Sequence, residues 1–226
     1  MPAKDRYLML DAVRGSAVLL MIFFHVAYDL SLFRFADIDI IQDPFWYWLP
    51  RLIVSLFLIC AGVSLALVHK NGIQWHHAVK RLIKIGGWAL VITLVTYVLF
   101  PENYIFFGAL HCIATASLAG VFFVRRPKLS FLCGLLLLAS DWVFRPTLFP
   151  LNRWLGVSPF DYLPFYPWFG VVLIGIYLES LHLHQIALKR NAVIRSLGFM
   201  GRHSLKIYLL HRPLLFGSFF LLYNLL

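Results

Sequence analysis

Arg14 and His25 lie eleven residues apart inside one long apolar stretch, RGSAVLLMIFFHVAYDL at 14–30. At 3.6 residues per turn, eleven residues make close to three full turns, so the two side chains share a helix face and differ in height by about 16 Å. Asp11 precedes Arg14 by three positions and Asp29 follows His25 by four, the spacings of neighbours on a helix surface. The stretch therefore draws one polar stripe: Asp11, Arg14, His25, Asp29. Ionisable groups in a membrane helix are expensive and usually face a bundle interior or a wet cavity. A guanidinium binds phosphate through charge-assisted hydrogen bonds. An imidazole exchanges protons near neutral pH, and a carboxylate four residues away can hold it in place. The chemistry on offer is anion binding at one level and acid–base work at another.

Beyond the stripe, the ionisable residues of the apolar stretches that are taken as site candidates are Arg51, His111, Asp141, His211 and Arg212. Placed by depth, His25, Asp29, Arg51, His111 and Asp141 are expected to form an outer layer. His211 and Arg212 enter the last apolar stretch from the opposite end and are expected to join Arg14 in a cationic inner layer. Each residue also has a plain structural reading. Asp11–Arg14 is then an ion pair, Arg51 and Asp141 are interfacial, Arg212 snorkels, and His111 and His211 are packing histidines. His76–His77 and His182–His184 are read as solvated loop histidines, so no metal site is expected. No GxSxG, HExxH or P-loop pattern is present.

These side chains need elements that can hold them in hydrocarbon. The 226-residue chain is 61% hydrophobic and 13% charged, against about 25% charged in a soluble domain. Seven apolar stretches approach the roughly 20 residues of a spanning helix: 7–30, 45–68, 82–100, 104–124, 129–144, 162–181 and 204–226. The first is read as a span and not a cleaved signal, being long and interrupted by Arg14. Basic residues gather in alternate loops: Lys4 and Arg6; Lys70, Lys80, Arg81 and Lys84; Arg125, Arg126 and Lys128; Lys189, Arg190, Arg195, Arg202 and Lys206. The other loops hold Arg34, Arg145 and Arg153 beside Asp37, Asp39, Asp43, Glu102 and Asp161. That bias puts the N-terminus in the cytoplasm and, with seven crossings, the C-terminus outside. It also explains the net charge of +10 without nucleic acid. Trp46, Tyr47 and Trp48 read as an interfacial aromatic belt. Cys60, Cys112 and Cys133 all lie in apolar stretches and read as small hydrophobes. The expectation is a single all-α polytopic helical bundle over 1–226, of about seven transmembrane helices.

A cationic layer open to the cytoplasm and a His/Asp layer open to the outside suit a phosphate-bearing donor whose reactive end reaches a histidine. Acyl-CoA has that shape, with an anionic nucleotide head, a thin arm and a thioester tip. A proton-coupled transporter or flippase for a small anion or lipid needs the same residue types. Against it, the chain shows neither an internal repeat nor paired Gly/Pro-interrupted helices in corresponding halves. A non-catalytic membrane partner protein would use the stripe only as glue between helices.

Four stretches carry a resemblance. LDAVRGSAVLLMIFFHVAYDL at 10–30, FLICAGVSLAL at 57–67, YIFFGALHCIATASL at 104–118 and GRHSLKIYLLHRPLL at 201–215 are together similar to the transmembrane acyltransferase superfamily. They resemble in particular the bacterial members related to the catalytic domain of heparan-α-glucosaminide N-acetyltransferase. The Arg-x10-His spacing and the GRHSLKIYLLHRP stretch are also similar to the wider membrane acyltransferases that O-acylate bacterial surface sugars. The resemblance covers nearly the whole chain. It implies that His25 matches the histidine of acyl transfer and Arg14 the donor-binding arginine.

The first expectation is thus an acyltransferase of the bacterial inner membrane. It would use acetyl-CoA or another acyl-CoA from the cytoplasm, with no metal, and a glycan or amino-sugar acceptor outside. His25 would be the general base, or the nucleophile of a transient acyl-histidine. Asp29 would orient His25, and His111 would assist as a second acid/base group. Arg14, paired with Asp11, would bind the donor together with His211 and Arg212. Arg51 and Asp141 would face the acceptor. Lipid is the expected surrounding, and assembly as a homo-oligomer is left open.

Overall fold

The computed structural model describes residues 7–40, 42–144, 159–189 and 191–225. Lys4, Arg6, Arg145, Arg153 and Arg190, which entered the loop-charge reading, lie outside the described residues. The described residues form eight helices and no strand: α1 (Leu8–Leu32), α2 (Pro44–Val68), α3 (Trp75–Leu99), α4 (Ala109–Gly120), α5 (Pro127–Phe144), α6 (Phe165–Ser180), α7 (Ala192–Arg202) and α8 (Ser204–Leu225).

Of these, α1, α2, α3 and α8 are long and apolar enough to cross a bilayer, and α4 and α6 are apolar but shorter. The chain is a polytopic membrane helical bundle, but with about four to six crossings in place of the seven expected. The odd parity that placed the C-terminus outside does not carry over. The clearest loss is the fourth stretch. Only 109–120 of 104–124 is helical; Tyr104–Gly108 is irregular chain tied to α3 at Ile105. The Thr96 hydroxyl accepts from the Ile105 N–H at 3.0 Å, and the Thr93 hydroxyl donates to the Ile105 carbonyl at 2.7 Å. The third helix gains about two turns at its start, so His76, His77, Lys80 and Arg81 sit on α3 and not in a loop.

The chain divides into two compact units. The first comprises 1–57 and 184–226, so it contains α1, the first part of α2, α7 and α8. Its apolar core is Met21, Leu49 and Ile53, with Phe24, Trp46 and Tyr208 packed against them. The second unit, 58–183, contains the rest of α2 and α3 to α6. There α5 is tied to α6 by the buried Ser130 hydroxyl, which donates to the Leu173 carbonyl at 2.8 Å. Large apolar side chains are exposed along α3 (Leu90, Leu94, Val98) and α8 (Leu214, Leu221, Leu222). In a membrane protein these face hydrocarbon and need no further partner.

Helix α7 falls where the sequence was read as a cytoplasmic loop. Its apolar and small residues Ile194, Leu197, Gly198 and Gly201 recur at i, i+3, i+4 and i+7, one face of a helix. That face packs across the first turns of α1. The approach is so close that a Cβ on Gly201 would meet the Asp11 carbonyl, and one on Gly15 the Leu197 carbonyl. Asn191 caps the helix, its side-chain oxygen accepting from the Ile194 N–H at 2.8 Å.

Candidate functional site

The first unit holds the densest set of expected site residues. On α1, Arg14 lies about 9 Å above Leu8 and His25 about 26 Å above it, at 1.5 Å per residue. At the lower level Arg14 Nη1 is 3.5 Å from Asp11 Oδ1, and Asp11 is buried. At the upper level the partners come from α8. The rings of His25 and His211 are 4.8 Å apart, centroid to centroid. Arg212 Nη1 donates to Asp29 Oδ1 at 2.8 Å, and Asp29 is 0% exposed. The Arg212 guanidinium also lies 5.7 Å from the Tyr28 ring and 5.8 Å from the Phe216 ring, within the range of a cation–π contact.

Two expectations change here. His211 and Arg212 were to join Arg14 in an inner layer, but they meet His25 and Asp29 in the other layer, further along α1. The reason is α7. It occupies the level of Leu8 to Gly15, so α8 begins deeper than α1 does. Asp29 was to orient His25, but its bonded oxygen is engaged by Arg212 instead.

The histidine that is held in place is His211. Its Nδ1 lies 2.6 Å from the Tyr208 carbonyl oxygen. Pro213 stands inside α8, two residues beyond His211. The missing N–H of Pro213 leaves the Leu209 carbonyl without its partner one turn ahead, while His211 reaches the neighbouring carbonyl, that of Tyr208. The sequence reading did not use Tyr208 or Pro213; the HRP order at 211–213 was the available signal. Three buried polar atoms of this cluster have no hydrogen-bond partner among the described residues: His25 Nδ1, His211 Nε2 and Asp29 Oδ2. Buried polar groups are nearly always paired, so such atoms mark places where something else is bound or done.

The remaining expected residues are placed differently. Arg51, also in the first unit, donates to the Tyr47 carbonyl at 2.6 Å and lies 3.6 Å over the Tyr47 ring and 5.9 Å over that of Trp48. His111 and Asp141 belong to the second unit. His111 is on the first turn of α4, not two turns into a span. Its Nδ1 accepts from the Gly108 N–H at 3.2 Å, and its Nε2 is 3.2 Å from Thr93 Oγ1. Since the Thr93 hydroxyl hydrogen goes to Ile105, Nε2 carries the ring hydrogen and both nitrogens of His111 are occupied. This is the arrangement of a histidine that pins α4 to α3. Asp141 sits in the last turn of α5. Asp161, counted in the sequence only as a loop charge, accepts from the Ala109 N–H at 3.0 Å and caps α4. Burial raises its pKa and that hydrogen bond opposes the rise. Among the described residues, no three His, Cys, Asp or Glu side chains are grouped to hold a metal.

Apolar helices of bilayer length, two of which (α1 and α8) bring together a His–His contact and a buried carboxylate–guanidinium pair, define an integral membrane protein with polar chemistry within its apolar segments. Comparison supplies the rest: the family model of heparan-alpha-glucosaminide N-acetyltransferase, catalytic, matches residues 6–213, and the chain belongs to that family. It is therefore a transmembrane transferase of the acetyltransferase kind. No curated protein and no solved structure matches it.

Proposed function

We propose that this protein transfers an acetyl group from acetyl-CoA, or another acyl group from its CoA thioester, to a glycan or amino sugar on the far side of a bacterial inner membrane. The observation that carries this reading is the His25–His211 pair. Its two unpartnered ring nitrogens, His25 Nδ1 and His211 Nε2, stand beside a carboxylate–guanidinium pair that is already neutralised. Such a site offers proton-transfer groups without a permanent net charge, which suits an acyl transfer in hydrocarbon. Arg14, steadied by Asp11 one layer below, is the cation for the donor's phosphates or pantetheine arm. Arg212 supports the pair by neutralising Asp29 and does not itself hold the donor.

The test uses the full chain in lipid nanodiscs with radiolabelled acetyl-CoA. Label should appear on glucosamine or as released acetate, and His25→Ala should abolish both. Arg14→Ala should raise the acetyl-CoA concentration needed for half-maximal rate more than it lowers the maximal rate. Absence of any turnover, together with uptake of a solute driven by a proton gradient, would replace the acyltransferase reading with a transporter.

A further inference from the structure

The two histidines of the pair differ in what fixes their hydrogens. The Tyr208 carbonyl can only accept, so His211 Nδ1 donates to it and carries the ring hydrogen. Neutral His211 therefore keeps its lone pair on Nε2, and that atom is buried without a hydrogen-bond partner among the described residues. His25 has no such anchor on Nδ1, and its four-residue neighbour Asp29 is bonded to Arg212. The groups around His211 that titrate or carry charge are His25 and Asp29 on α1 and Tyr208 and Arg212 on its own helix. The start of α2 contributes the apolar Leu49, Ile53 and Trp46 to the core on which Tyr208 packs.

We propose that His211 Nε2, rather than His25, is the proton acceptor of the transfer reaction. The inference rests on the acyltransferase reading above. The acceptor's hydroxyl or amine, X–H, gives its proton to His211 Nε2 as X bonds the acyl carbon. The carbon–sulfur bond breaks and its electron pair goes to the CoA sulfur. His211 then passes the proton from Nε2 to the thiolate, releasing CoA thiol and returning to its starting tautomer. The Tyr208 carbonyl steadies the imidazolium between these events, since Nδ1–H stays bonded to it throughout. His25, whose ring is 4.8 Å away, is left to meet the acyl group itself.

His211→Asn tests this, because the asparagine amide can still donate to the Tyr208 carbonyl but has no basic nitrogen. Thiol release from acetyl-CoA is followed against pH, with glucosamine as the acceptor probe, on the full chain in nanodiscs. The variant should bind acetyl-CoA as the wild type does, lose at least about 100-fold in rate, and lose the rising acidic limb of the pH–rate profile. Retention of that limb in His211→Asn with its loss in His25→Asn would overturn the assignment. Imidazole nitrogen NMR of the wild-type protein gives a second reading that needs no variant. Hydrogen on Nδ1 of His211 supports the proposal, and hydrogen on Nε2 refutes it. If the wild type releases no thiol at all, the acyltransferase reading fails first and this one with it. If it does release thiol and His211→Asn is within a few-fold of it, only the present inference fails.

Discussion

Asp29 is the residue on which the polar cluster balances. It is 0% exposed and its one charge partner in the cluster is Arg212, at 2.8 Å. Removing one member of a buried ion pair leaves the other charge without compensation, which typically costs about 3 kcal/mol or more. Asp29→Ala should therefore lower the unfolding midpoint in detergent sharply. The double variant Asp29→Asn with Arg212→Gln should recover most of that loss, since it removes both charges and keeps polar atoms in place. Equal destabilisation of single and double variants would show that packing, not charge, governs the site. The stripe on α1 was legible from spacing, because it depends only on helix periodicity. The tautomer of His211 was not, because it depends on the ring folding back to a carbonyl three residues earlier, a rotamer that spacing alone does not fix.

At the scale of elements, the crossing of α1 and α7 sets the depth of everything that follows it. Gly201→Ala and Gly15→Ala each place a methyl against a facing carbonyl, and overpacking of this kind costs about 1–3 kcal/mol. Gly217→Ala on α8 has nothing within 4 Å of the new atom and should be neutral or stabilise by up to about 1 kcal/mol. Thermal unfolding of the three variants distinguishes close approach from mere helix propensity. The turn after α2 makes a pH prediction. His69 is buried, and its Nδ1 accepts from the Gln74 N–H at 3.0 Å. Its pKa is lowered, first by burial and then by the Arg81 and His77 charges. A histidine whose folded pKa lies below its unfolded value of about 6.5 stabilises the fold fully above that pH and loses the contribution as the pH falls through the folded value. The unfolding midpoint should drop between pH 7.5 and 5, and by less in His69→Asn, which can accept the same hydrogen bond without gaining a proton. The long helices α1, α2 and α8 were legible as apolar stretches. The eleven-residue α7 was hidden because it is too short to span and carries Arg195, Ser196 and Arg202, and the start of α4 was overestimated because Thr93 and Thr96, distant in sequence, bond Ile105 outside a helix.

For the whole molecule, the orientation in the membrane decides which side supplies the donor, and it can be settled without knowing the number of crossings. Helix α1 has 25 residues, about 37 Å at 1.5 Å per residue, which exceeds a hydrocarbon core of roughly 30 Å. Its two ends carry opposite charge. Across its first turns lies α7 with Arg195 and Arg202, while Asp37, Asp39 and Asp43 follow its last turn. Basic residues mark the cytoplasmic side, which predicts that the Arg14 layer lies on that side and the His25–His211 layer nearer the outside. Both Asp37 and Arg195 are exposed, which makes them suitable labelling positions. Cys60 and Cys112 are buried and shielded from a large reagent, so Cys133→Ala alone provides the background. In spheroplasts treated with a membrane-impermeant maleimide, Asp37→Cys should react at once and Arg195→Cys only after permeabilisation. The reverse pattern would put the arginine layer on the outside and would rule out delivery of acyl-CoA from the cytoplasm to Arg14, whatever residues carry the transfer.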